Sequence, residues 1–260
     1  MSSIVALCSL AYTSSNRSSP DTIIETQYPA RLEEIASHPA IVSIDFGNRS
    51  DQRTFVGHLK DKYPEYEVRI ENPANYSLNC TERDSIVIKQ KMKDHKKRLN
   101  DLVAGARFLH LSGHHQFGNE IIFSGDAISS PKKYTAGIDP SYFDYNGNVE
   151  LIFLNACFSV RSYSYFTTTI SKKFPNALLL GYSLRSAVGN VSQDVISKFL
   201  ESTSEKDFSL YTQRELAELW INAGIQVYGN KAQERNLSAV WREGQNIHEL
   251  TTLGLRLSKK

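Results

Sequence analysis

Short, unbroken apolar runs and apolar stripes at helical spacing follow one another along this chain. Ala40-Ile41-Val42-Ser43-Ile44-Asp45-Phe46 has strand length and stops at Gly47; Phe55, Val56, Leu59 and Tyr63 then recur at helical spacing. This predicts a β-α step. Glu67-Val68-Arg69-Ile70 is a second, shorter strand, closed by Asn72-Pro73. Across residues 83–104, Ile88, Met92, Leu99, Leu102 and Val103 form one stripe, and Gly105 is placed to end that helix. Residues 107–112 are expected as the next strand.

Glu120-Ile121-Ile122-Phe123, then Gly125-Asp126, predicts a hairpin arm. Residues 127–148, with Pro131, Pro140 and several tyrosines, read as a long irregular loop of the functional or mobile kind. Val149-Glu150-Leu151-Ile152-Phe153-Leu154 is a strongly apolar strand, followed by a helix near residues 160–173 and a strand at 177–181. Asn190 or Ser192 is expected to cap a helix carrying Val195, Ile196, Phe199 and Leu200, and Thr212 with Glu215 forms a capping-box pair. Residues 213–260 read as helical packing plus a final strand around 248–255. Alternation of this kind predicts an α/β/α sandwich with a mostly parallel central sheet flanked by helices, because a parallel connection needs a crossover. The expected division is an extension over residues 1–39 and one domain over 40–260.

Composition narrows the class. Hydrophobic residues at 40% and charged residues at 22% are ordinary globular usage. Thirty Lys and Arg against 28 Asp and Glu leave a net charge of +2, which supplies no global field for nucleic acid or an anionic membrane. Neither is expected as a partner. Cys8, Cys80 and Cys157 are an odd number without C-x-x-C spacing, which suits a reducing, cytoplasmic setting. The apolar run from Ile4 to Tyr12 is too short to span a bilayer and lacks a basic flank, so it reads as a strand before the polar stretch at residues 13–20.

In doubly wound sheets, reactive groups gather at the carboxyl ends of strands. Two strands end in candidate chemistry here: Phe108-Leu109-His110-Leu111-Ser112-Gly113-His114-His115, and Leu151-Ile152-Phe153-Leu154-Asn155-Ala156-Cys157. If these strands are neighbours, His114 and Cys157 meet. A thiol needs a base to become a nucleophile, and an imidazole supplies one and later protonates a leaving amine. Backbone N–H groups at Cys157 and after His114, at His115, are positioned to hold an oxyanion. Either residue alone reads more simply as structural. Zinc is disfavoured, because His110 and His114 on one strand lie roughly 13 Å apart at about 3.3 Å per residue.

The two strings, in the order His then Cys with Cys157 43 positions after His114, resemble the caspase-like cysteine peptidases of clan CD, a group that includes caspases, metacaspases, separases, gingipains and CHAT domains. Leu109-His110-Leu111-Ser112-Gly113-His114 is similar to the strand and Gly-His of CHAT domains, and Leu154-Asn155-Ala156-Cys157 to the strand before the family's cysteine. Residues 119–125 are similar to the hairpin after the catalytic histidine, and residues 40–71 to the first β-α-β unit. The resemblance covers about residues 40–205. It implies a caspase-like fold, Cys157 as nucleophile, His114 as general acid/base, and Asp45, Asn48 and Asn155 lining the pocket for the side chain before the cut. Asp45 suits Arg or Lys in that pocket, while Arg49 or Arg53 suits Asp or Glu; the lean is to basic. His115 departs from the family's glycine at that position, so a catalytically inactive module that binds partners is the alternative reading.

The resemblance implies a protein substrate and no cofactor or metal. Only about twenty residues separate Cys157 from the next strand, too few for a long cleavable linker between subunits. Control is therefore expected from a regulatory protein, a ligand or the 127–148 loop. The helix face of Lys89, Lys91, Lys93, Lys96, Lys97 and Arg98 reads as solvated surface, with a small anionic effector as the sharper alternative.

Overall fold

The computed structural model describes residues 38–45, 49–71, 77–78, 85–115, 122–123, 135–157, 159–186, 190–232 and 236–254. The expected N-terminal strand lies outside them. Nine elements make the first half and more of the described chain: β1 (Ala40–Asp45), α1 (Arg49–Lys62), β2 (Glu67–Glu71), β3 (Ser77–Leu78), α2 (Ser85–Val103), β4 (Ala106–Ser112), β5 (His114–His115), β6 (Ile122–Phe123) and β7 (Thr135–Ile138). There follow β8 (Leu151–Asn155), α3 (Tyr165–Lys173), β9 (Leu178–Tyr182), α4 (Asn190–Ser202), α5 (Gln213–Tyr228), β10 (Leu237–Glu243) and β11 (Asn246–Thr251).

Seven strands form one sheet in the order β11-β10-β9-β8-β4-β1-β2. The pairs from β2 through to β9 are parallel; β10 runs antiparallel to both β9 and β11. Because side chains alternate along a strand, each parallel strand feeds both faces. Ile41, Phe108, Leu151 and Leu178 face α1, α4 and α5, while Val42, Leu109, Ile152 and Leu179 face α2 and α3. The α/β sandwich expected from the alternation is what the chain forms.

The helices follow their stripes. Phe55 and Leu59 along α1 and Tyr63 just past its end are buried, as are Val195, Ile196, Phe199 and Leu200 along α4, and Leu216, Ala217, Trp220 and Ile221 along α5. Gly105, at φ 70°, ends α2 in a conformation that favours glycine. Thr212 Oγ1 accepts from the Glu215 N–H at 3.2 Å and the Glu215 carboxylate accepts from the Thr212 N–H at 2.7 Å, completing the capping box.

Three expectations are corrected. The helix expected from residue 160 begins at Tyr165, because Ser164 Oγ accepts from the Thr167 N–H at 3.1 Å and sets the start there. The stretch expected to be irregular at 127–148 lies outside the described residues up to 134 and is irregular only in part beyond: β7 pairs with β6, and Asp139 caps a short 3-10 turn over Pro140–Tyr142. The Asp144 N–H then donates to Asn100 Oδ1 and the Asn146 N–H to the Lys173 carbonyl, tying this stretch to α2 and α3. The C-terminal region holds a hairpin rather than a lone strand, with Gly244 at φ 60° in the two-residue turn between β10 and β11. The strands β3, β7, β6 and β5 form a second, small sheet.

Candidate active site

At the carboxyl edge of the large sheet, Asp45 of β1, Ser112 of β4 and Asn155 of β8 are paired in register. In parallel strands, registered residues project to the same face, so three polar side chains stand in one row. All three are buried. One level deeper, the registered row is Ser43, His110 and Phe153. His110, Phe55 and Phe153 form a cluster of three rings, with the His110 centroid 5.4 and 5.5 Å from the two phenyl rings and these 6.0 Å from each other. Gln52 Nε2 donates to Ser43 Oγ at 3.0 Å, which leaves the Ser43 hydroxyl to donate to His110 Nδ1 at 2.8 Å. Burial pulls the His110 pKa down to about 3, so the ring is neutral, with its proton assigned to Nε2. A buried ring with Nδ1 committed to Ser43 is a core histidine, not a ligand.

Above this floor two helices reach in. Asp51, in the first turn of α1, accepts at Oδ2 from the Ser192 hydroxyl of α4 at 2.8 Å and from Asn155 Nδ2, which also lies 3.2 Å from Ser192 Oγ. Asp51 is fully buried. Burial raises its pKa to about 7, Ser192 opposes the rise, and the nearby Asp45 charge adds to it. Ser192, expected as an alternative cap for α4, instead lies inside the first turn and serves this carboxyl. Asn155 Oδ1 and Ser112 Oγ have no partner among the described residues.

Cys157 follows this row by two residues. Its free thiol is half-buried and faces Ser186, whose N–H donates to Sγ at 3.4 Å and whose Oγ lies 3.5 Å away. On the neighbouring strand the Gly113 N–H donates to the Asn155 carbonyl at 3.1 Å, carrying the β4-β8 ladder one residue past Ser112. The backbones of His114 and His115 continue into β5, opposite Phe123 and Ile122. Their side chains, like Asn48, lie outside the described residues. The topology thus brings Asp45 and Asn155 into one row and sets the backbones of His114 and Cys157 at adjacent strand ends. Arg53 is exposed.

Asp51, Ser192 and Ser186 were not legible as site residues. Asp51 reads as an ordinary first-turn acid, Ser192 as a cap, and Ser186 carries no spacing signal at all. Three residues of the basic face of α2 are engaged by acids: Lys96 pairs with Asp144 at 2.9 Å, Lys97 with Asp101 at 3.3 Å and Arg98 with Glu71 at 2.7 Å. That favours a solvated surface over an effector site. No family model matches the chain, and no curated protein matches it in sequence.

Proposed function

We propose that the chain is a caspase-like cysteine endopeptidase that uses Cys157 as nucleophile and His114 as general acid/base. The observation that carries this reading is the in-register parallel pairing of β4 with β8, from which His114 and Cys157 each follow by two residues. The Cys157 thiolate forms a C–S bond to the scissile carbonyl carbon as the carbonyl π pair moves to oxygen. Backbone N–H groups at Cys157 and His115 receive that oxyanion. As the C–N bond breaks, the His114 imidazolium gives its proton to the departing amine; water activated by the same ring then hydrolyses the thioester.

A basic side chain before the cut is favoured by the acceptor-rich row beside the thiol. The carboxylates of Asp45 and Asp51 and the amide oxygen of Asn155 are acceptor groups, whereas Arg and Lys side chains only donate. Acyloxymethyl ketone peptides ending in Arg, Lys or Asp test the proposal together. Labelling at Cys157 by the Arg or Lys probe, abolished in Cys157→Ala, is expected. Failure of all three probes on folded protein removes the peptidase reading and favours the partner-binding module suggested by His115.

A further inference from the structure

Ser186 lies on the segment that leaves β9, the strand next to β8, and is itself buried at 8% exposure. It presents two groups to one sulfur. The backbone N–H donates to Cys157 Sγ at 3.4 Å, and the hydroxyl oxygen is 3.5 Å from the same atom. Both distances are ordinary for hydrogen bonds to sulfur, whose radius exceeds that of oxygen. The two segments are also joined directly: the Val160 N–H donates to the Tyr182 carbonyl at 3.2 Å, and Arg161 Nε donates to the Ser183 carbonyl at 2.8 Å. These bonds tie the stretch after Cys157 to the stretch that leads to Ser186.

The two groups differ in kind. A backbone N–H can only donate, so it favours an electron-rich sulfur whatever the protonation state. A hydroxyl both donates and accepts. It can accept from the S–H of the thiol and, once the proton has left, rotate to donate to S⁻. That second arrangement is charge-assisted and the stronger of the two. We infer that Ser186 is a positioning residue for Cys157, fixing the sulfur's orientation and stabilising its thiolate from the β9 side. The role in hydrolysis rests on the peptidase reading; the effect on thiol chemistry does not.

Alkylation separates the two. The full chain is treated with iodoacetamide between pH 5 and 10, and modification of Cys157 is followed by peptide mapping, which resolves it from Cys8 and Cys80. In Ser186→Ala the pH of half-maximal alkylation is expected to rise by about one unit, with alkylation near pH 7 slowed several-fold, because a hydrogen bond to an ionised group is worth about that much. The melting temperature should change little. Ser186→Thr, which keeps the hydroxyl, is expected to retain the wild-type profile, while its isostere Ser186→Val reproduces the alanine shift. The Thr and Val pair keeps the test decisive if Ser186→Ala folds poorly. An unmoved profile in a folded Ala or Val variant overturns the inference, whether or not peptides are cleaved. A shifted profile in a chain that no peptide probe labels upholds it and removes only the peptidase reading.

Discussion

At the amino ends of β4 and β8, Arg107 sits between Glu150 and Asp207, at 2.7 and 2.6 Å, with Tyr66 as a further acceptor and the rings of Tyr63, Tyr66 and Phe108 beneath it. At the carboxyl ends of the same strands, Asp51 takes its described hydrogen bonds from a neutral amide and a neutral hydroxyl. Burial alone would lower the Arg107 pKa, but its three acceptors outweigh it; burial would raise Asp207, but Ser209 and Arg107 hold it well below the usual carboxylate range. Asp51 is instead pushed up to about 7. A charge neutralised within the fold holds elements together. A buried acid whose pKa is raised by burial opposes folding once it ionises, and such residues concentrate where chemistry or binding occurs.

Arg107→Met is expected to have the largest effect on stability, about 3 kcal/mol in chemical denaturation, because it strands Glu150 and Asp207 without their cation. Alkylation of Cys157 per folded molecule should be unaffected. A small loss would mean that the amino-end cluster is decoration.

Asp51→Asn should act in the opposite direction, by roughly 2 kcal/mol. The acid's ordinary value is 3.8 and its folded value about 7, so between those limits the folded chain holds a proton that the unfolded chain has lost. Stability from this group therefore falls as pH rises through that window, and the full cost applies above pH 7. The variant is expected to melt several degrees higher at pH 8 and to converge on the wild type near pH 4. On the proposed function it also loses cleavage after Arg or Lys about tenfold. A variant less stable at pH 8 would put Asp51 with Arg107, as a purely structural group.

His110 has the reverse linkage. Its value falls from 6.5 to about 3, so its stabilising effect is complete above pH 6.5 and is lost as pH drops through that range. His110→Gln should cost on the order of 1 kcal/mol at pH 7.5, from lost stacking on Phe55 and Phe153, while flattening the acid limb of the stability profile. The smallest effect calibrates the others: Thr212→Ala, remote from both clusters, should cost about 1 kcal/mol or less and leave every pH profile unchanged.

The sandwich was legible because its cues are local. Runs such as Leu151 to Leu154, and stripes such as Phe55, Leu59 and Tyr63, each declare an element without reference to the rest of the chain. In the small sheet, Ile122-Phe123 was legible as part of a hairpin arm, whereas β5 at His114-His115 is two residues, too short for any period to register. Residues 237–241 were absorbed into a region read as helical, although Leu237, Ala239 and Trp241 alternate with Ser238 and Val240; a run buried on both faces shows no polar alternation to mark it. At the candidate site, the strand-end placement of Asn155 and Cys157 was readable. The convergence of Asp51 with Ser192, and of Ser186 with the thiol, is a product of docking and leaves no trace in either neighbourhood.

The carboxyl of Asp51 also bears on how the chain matures. Its partner Asn155 is 104 residues away and Ser192 is 141 away, so three segments must close long loops before this point exists. Such contacts carry a large entropic barrier and tend to form late in folding. A nascent chain that has not yet delivered α4 lacks the hydroxyl that caps the cluster. The edge that bears Cys157 is thereby completed only once the chain has been made through α4, well after Cys157 itself.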